Sequence, residues 1–142
     1  MQVPEATIEF IHRTPVQLRF RDIDMFGHVN NNVYLELMDM AKASFYAQIH
    51  GGHLNPANIG LLVVNVNCDF FEPTRLEEPL EILTGILKIS ERSVKLEQRI
   101  INSATGAVKV ICRTVLAGFD PRTNSGAPVP AVYHEYFDSL QK

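Results

Sequence analysis

Apolar and polar residues alternate from Val16 to Phe20 (VQLRF), the period of two that turns successive side chains to opposite faces of a strand. The rhythm then changes. Asn32 to Ile49 (NVYLELMDMAKASFYAQI) is rich in helix formers, holds no Gly or Pro, and is apolar around most of a helical circumference. Its charges Glu36, Asp39 and Lys42 fall three apart and trace one stripe, so the pattern predicts a long helix buried on nearly all sides that shows water a thin face. GGHLNP (Gly51 to Pro56) ends it, glycine supplying the stop and proline barring continuation. From Val63 the period is two again, with Val64, Val66, Cys68 and Phe70 set against Asn65, Asn67, Asp69 and Phe71. Strands at Pro79 to Ile89 and Ser93 to Ile101 follow, joined by Ser90, Glu91 and Arg92. NSATG (Asn102 to Gly106) has hairpin chemistry and leads into a last long strand, Ala107 to Phe119. A turn-rich tail and a short helix over Ala131 to Leu140 complete the reading.

One strand, one long helix and four consecutive antiparallel strands make an α+β domain. A helix apolar on most sides needs a sheet that curls around it, since a flat face leaves half of its apolar surface wet. Five strands from one chain only half-enclose such a helix, so two chains are expected to complete each other's burial through strand edges or helix faces. The chain of 142 residues fits one domain, residues 1–142, and 46% hydrophobic with 20% charged is the balance of an ordinary globular core. A net charge of -3 with 13 Lys plus Arg excludes broad attraction to nucleic acid or an anionic membrane, and leaves any phosphate contact to a few placed residues. Cys68 and Cys112 have no C-x-x-C pairing and lie in apolar runs, which speaks against a zinc site or a disulfide scaffold and for two buried small side chains. The N-terminal residues lack a basic region followed by an apolar one, and no window reaches the 18 apolar residues of a membrane span. The expectation is a cytoplasmic protein without cofactor or metal.

The polar crowding just ahead of the helix, RDIDMFGHVNNNVY (Arg21 to Tyr34), is more than capping requires. Asn30, Asn31 or Asn32 serves as the N-cap and Gly27 permits a tight turn, which leaves Asp22, Asp24 and His28 unexplained. The first amides of a helix lack intrahelical partners and carry the positive end of the dipole, so a carbonyl oxygen gaining negative charge is stabilised there. A carboxylate just ahead of them faces the carbon of that carbonyl, as nucleophile or as the base that activates water. Acyl transfer to water is the reaction class this suits. There is no G-x-S-x-G elbow to support a serine hydrolase.

The run Asp22-Ile-Asp24-Met-Phe-Gly27-His28-Val29-Asn30-Asn31-x-x-Tyr34 resembles the D-x-D-x-x-G-H-V-N-N-x-x-Y signature of the hotdog-fold acyl-CoA thioesterases of the 4-hydroxybenzoyl-CoA thioesterase group. VVNVNCDFFEPTRLEEPLEI is similar to that group's second-strand segment with its aromatic-x-Pro ending, and SERSVKLEQRI to the strand pair after it. The resemblance implies a curved antiparallel sheet of about five strands wrapped around one long central helix. It implies Asp24 as nucleophile or general base and the backbone N–H of Asn31 as the group that polarises the thioester carbonyl. His28 and Asn30 match positions that shape the loop and orient water or substrate, and Tyr34 becomes a pocket wall. Phe26 stands where related plant acyl-carrier thioesterases have an asparagine, which leaves Asp24 as the main catalytic group. Asn65 and Asn67 share one face of their strand, where they either meet a neighbouring subunit's site or face solvent. The phosphates of coenzyme A need positive charge, and Arg92, beside Ser93 at the start of a strand, matches a region where the family often carries basic residues, although Ser90 and Glu91 replace charges that some relatives have; an acyl carrier protein is an alternative carrier. Leu37, Met38, Ala41 and Phe45 offer apolar helix surface to an acyl chain. The implied partners are a small-molecule acyl-CoA and further copies of the chain, as homodimer or homotetramer. A dehydratase acting through His28 and Glu36 and a non-catalytic acyl-thioester-binding module are the alternatives. His12, His50, His53 and His134 lie outside the motif and are expected on the surface or in loops.

Overall fold

The computed structural model describes residues 2–141. Strand β1 (His12–Val16) opens the fold and is followed by helix α1 (Asn31–Ile49). Strands β2 (Leu61–Phe70), β3 (Leu80–Ile89), β4 (Ser93–Asn102) and β5 (Val108–Asp120) come next, then the short β6 (Ser125–Gly126) and helix α2 (Ala131–Ser139). The main strands pair antiparallel in the order β1-β3-β4-β5-β2, and β6 adds to β5. This is the hotdog architecture expected from the motif: a curved sheet with α1 against its inner face. Among the described residues no helix is long and apolar enough to cross a membrane.

The helix forms where its sequence allows. Asn30 caps it by accepting the N–H of Asn32 at 3.0 Å, and Gly51 and Gly52 end it with φ of 82° and 102°. Tyr34, Met38, Ala41, Phe45 and Tyr46 turn inward at helical spacing onto Leu80, Ile82, Ile100, Val110 and Leu116 of the sheet. Full burial of Met38 or Phe45 stabilises the fold by about 1.5–3 kcal/mol each. Gln98 ties the layers together, its Nε2 donating to the carbonyl of Met38 at 3.0 Å and to Thr84 Oγ1 at 3.2 Å.

Several expectations require correction. The first strand is His12–Val16, ahead of the alternating VQLRF run, and it contains Pro15. β1 is an edge strand paired only to β3, where a residue without an N–H is tolerated. One sheet covers one face of α1, leaving Leu35 and Met40 exposed, so in the single chain the helix is buried along one side. Lys42 is not part of a solvent stripe: its stem is buried along the core while its ammonium reaches Asp39 at 3.1 Å. His12 is buried between β1 and α1, bonded to Gln48 and to Ser44. The cysteines meet directly across β2 and β5 as free thiols with sulfurs 2.8 Å apart, and burial together with Cys112 pushes the Cys68 thiol up to about 12.

Candidate active site

Three pieces of chain converge at the N-terminal end of α1. The first ends at Asp22, which is 2% exposed. Its carboxylate accepts the Arg19 backbone N–H at 2.8 Å and the guanidinium at 3.0 Å, and its backbone carbonyl accepts the N–H of Asn30 at 2.9 Å. Burial alone raises its pKa, but the Arg19 hydrogen bonds and charge outweigh that and hold the carboxyl below its ordinary value. Asp22 therefore folds the loop back onto the helix start, a structural task that accounts for one of the two surplus carboxylates.

The second piece is the tight loop from Asp24 to His28, closed by a bridge between Ile23 and Val29. The N–H of Asp24 donates to the carbonyl of His28 at 2.8 Å, and Gly27 supplies the left-handed turn at φ 79°. Asp24 Oδ1 accepts the backbone N–H of Phe26 at 2.9 Å and of His28 at 3.2 Å. Its second oxygen takes no hydrogen bond among the described residues, so the carboxylate is oriented by backbone and still has an unoccupied face.

The helix start is the third. Asn30 uses its side chain for Asn32 and its carbonyl for the N–H of Val33 at 2.9 Å. The amide of Asn31 has no acceptor among the described residues. Asp24, His28, Asn31, Tyr34, Phe70 and Glu72 line one cavity of about 260 Å³. Its floor is braced by Thr74, which is fully buried: its Oγ1 accepts the Tyr34 hydroxyl at 2.9 Å and its carbonyl accepts the N–H of Val29 at 2.8 Å. Burial raises the Tyr34 pKa above the ordinary phenol value, so Tyr34 stays neutral and lines the wall. A free helix-start amide and a fixed carboxylate on one hollow are the elements needed to polarise a carbonyl and attack or hydrate its carbon.

Other expected residues lie elsewhere in the chain. Asn65 pairs across the sheet with Val115 and Asn67 with Arg113, on the face opposite to that of Cys112 and Val110, which pack under the helix. Arg92 and Ser93 lie at the start of β4, nine residues from the Asn102 end, or roughly 30 Å along the strand. Met38, Ala41 and Phe45 are at most 1% exposed and belong to the core, covered by the sheet and, for Phe45, by α2 as well; Leu37 alone of that set is half-buried. Glu36, the acid a dehydratase needs beside His28, lines a different hollow with Arg19 and Met40. Thr74, Glu72 and Phe70 were not anticipated, and the run FFEPT marked only a strand ending.

The sequence profile of the Thioesterase-like superfamily matches residues 18–137. The long-chain acyl-CoA thioesterase FadM of Escherichia coli K12 is 24% identical over 131 residues, covering 92% of this chain and 99% of FadM. The acyl-CoA thioester hydrolase YbgC of Escherichia coli O6:H1 is 26% identical over 95 residues, 66% of this chain and 71% of its own length. Among solved structures, a thioesterase from Thermus thermophilus complexed with coenzyme A and Zn superposes with a TM-score of 0.77 at 25% identity, covering 89% of this chain and 97% of that one. The 1,4-dihydroxy-2-naphthoyl-CoA thioesterase Slr0204 from Synechocystis gives 0.79 at 21% identity over 92% and 98%, a likeness of fold.

Proposed function

Because the chain belongs to the Thioesterase-like superfamily, we propose that it hydrolyses an acyl-CoA thioester to the free acid and CoA. The observation that carries this reading is one cavity lined both by Asp24, whose carboxylate keeps an unbonded oxygen, and by Asn31, whose amide has no acceptor among the described residues. In the proposed reaction the thioester carbonyl oxygen takes the Asn31 N–H, which stabilises the negative charge as the carbon becomes tetrahedral. Asp24 either removes a proton from the attacking water or attacks the carbon itself, forming a mixed anhydride that water then opens. Collapse of the tetrahedral species breaks the C–S bond and expels the CoA thiolate, which takes up a proton. His28 and Asn30 serve as loop residues beside this chemistry, and Tyr34 as a wall.

The proposal includes a second copy of the chain. β2 has ten residues and, among the described residues, one edge without a partner strand, and Leu62, Val63, Val64, Val66 and Phe70 along it are exposed. An antiparallel join of two β2 edges sets the Phe70 end of one copy beside the Leu61 end of the other. Leu61 pairs with Gly118, whose N–H donates to the carbonyl of Arg92, so the Leu61 end is also the Arg92 and Ser93 end. This arrangement gives those two residues a route to a CoA held at the other copy's Asp24, which they lack within one chain. An acyl carrier protein remains the other possible thioester carrier.

The test is release of free thiol from a panel of aliphatic and aromatic acyl-CoA esters, with Asp24→Asn alongside. We expect the substitution to remove about 10²–10⁴ of the rate while the fold survives. Unchanged turnover in that variant overturns the assignment of Asp24, and tight binding of acyl-CoA without thiol release by the wild type overturns hydrolysis. Sedimentation is expected to give at least twice the 16.0 kDa of one chain.

A further inference from the structure

We propose that Lys109 is a positioning residue for this site: from a bulge in β5 it clamps the 72–78 loop, and through Thr74 that loop sets the helix start and the Asp24 loop in their working places. The inference rests on the reading of Asp24 and Asn31 given above and adds a residue to it.

The bulge is seen in the register. Ile100 pairs with Val110 and Ile101 with Val108, which leaves Lys109 as the extra residue with no partner opposite. The side chain released from the ladder is buried, 4% exposed, and its ammonium contacts Glu72 and Glu78 at 2.7 Å each and the carbonyl of Pro73 at 3.3 Å. The backbone adds to the grip, the Lys109 carbonyl accepting the N–H of Phe71 at 2.8 Å. Glu78 is fixed in turn by the Asn102 amide at 3.1 Å and by the Arg75 N–H at 2.8 Å. Both ends of the loop are thus drawn to one buried cation.

Thr74 lies between those ends, and it is the residue that accepts from Val29 and Tyr34. Val29 bridges to Ile23 and follows His28, whose carbonyl holds the Asp24 N–H; Tyr34 is in the first turn of α1, one turn beyond Asn31. The path from Lys109 to the two groups alternates hydrogen bonds with short stretches of backbone; it starts at a buried ammonium and passes through the buried Thr74, Val29 and Tyr34, although the Glu72 side chain it grips is 48% exposed. A buried ammonium is costly unless paired, and a plain β5 would take an apolar residue at this point. Two carboxylates, a bulge and a carbonyl spent on holding one loop point to a task for that loop. Glu72 lines the Asp24 cavity directly, so its ion pair with Lys109 also fixes one wall of it.

The first measurement is amide hydrogen exchange in Lys109→Met, which reads the clamp without any assay of activity. We expect exchange at Val29 and Asn30 to accelerate about tenfold or more while the amides of β4 keep their wild-type rates. Unchanged exchange at Val29, or an equal acceleration throughout β4, overturns the proposal, the second because it marks a loss of general stability. Where this variant fails to fold, Lys109→Met with Glu72→Gln and Glu78→Gln removes all three charges together and is read in the same way. The second measurement is a double-mutant cycle on thiol release. Lys109→Met should lower kcat about tenfold with KM within about threefold of wild type, and cost threefold or less in an Asp24→Asn background, since most of what it positions is then gone. Equal losses in both backgrounds overturn the positioning role. Full turnover in Asp24→Asn alone refutes the Asp24 reading, and the exchange result then still decides whether Lys109 holds the loop.

Discussion

Arg19 to Asp22 and Asp24 to His28 are neighbouring segments separated only by Ile23, and each is built around a carboxylate. Asp22 is buried, and its side chain is committed to the Arg19 amide and guanidinium. Asp24 is half-buried, held by two loop amides through one oxygen, its other oxygen takes no hydrogen bond among the described residues, and the residue lines a cavity that Asn31 also lines. The difference teaches how to divide a polar motif: a carboxylate whose acceptor sites are filled by protein is part of the scaffold, and one oriented by protein but left with a free face is available for chemistry. Spacing along the chain cannot make that division, because the two residues are identical in type and two positions apart.

Removing each carboxylate in turn separates the two roles. Asp24→Asn should cost about 10²–10⁴ in kcat/KM, or about 2.7–5.4 kcal/mol of transition-state stabilisation, with little change in the urea midpoint because the amide oxygen can still accept the two loop N–H groups. Asp22→Ala should do the reverse. It leaves the Arg19 amide without its acceptor and should cost about 1–3 kcal/mol of stability, toward the lower figure because the Arg19 side chain is 53% exposed, while turnover per folded molecule stays near wild type. Acid titration of stability sharpens this second arm. The folded pKa of Asp22 lies below its ordinary 3.8, so its contribution is complete above that value and is lost as pH falls through the folded pKa. The urea midpoints of wild type and Asp22→Ala should therefore differ at neutral pH and draw together below about pH 3.8. A gap that persists at lower pH would show that Asp22 stabilises the loop in some other way than through its charge.

Much of the architecture was legible because long, strongly periodic segments carry their own evidence. The helix boundary differs by one residue and the bounds of β3, β4 and β5 by at most one. Alternation favours VQLRF over HRTPV as the first strand, because the proline of HRTPV argues against a strand unless the strand lies at an edge, and edge position is a tertiary fact. A charge on a helix usually faces solvent, which the sequence cannot override for Lys42, yet its stem is buried along the core while its ammonium reaches Asp39. In the site, Asp24, His28, Asn31 and Tyr34 could be found together because a turn and a helix start keep them within eleven residues of sequence. Thr74 and Lys109 come from distant strands and loops, and nothing in FFEPT or AVKVI marks one as a brace or the other as a buried bulge residue. Arg92 and Ser93 resemble family positions in sequence yet sit at the far end of β4 from Asn102, a separation that only tertiary structure reveals.

Gly27→Ala probes the Asp24 segment with a smaller expected effect. Among the described residues, no atom beyond Gly27 and its two chain neighbours lies within 4 Å of the added Cβ, so the cost is the strain of an L-residue at φ 79°, about 1–2 kcal/mol, carried by the loop that aims Asp24. Both stability and kcat should fall, whereas a kcat equal to wild type would mean that the loop backbone tolerates rotation without moving the carboxylate.

Tyr34→Phe is the mildest test of whether the Asp24 segment depends on its brace. The ring stays in place against Phe70, at a centroid distance of 5.9 Å, so packing is preserved and only the hydroxyl is lost. Thr74 Oγ1 loses one donor in a fully buried position, which should cost about 1 kcal/mol in urea denaturation. Thr74 still accepts from Val29 through its carbonyl, so the brace is weakened and not removed. A fall in kcat of no more than about tenfold, well short of the Asp24→Asn loss, is what a supporting wall predicts. A loss as large as that of Asp24→Asn would instead make the Tyr34 hydroxyl a participant in the chemistry, and the division between scaffold and reacting groups would have to be redrawn through α1.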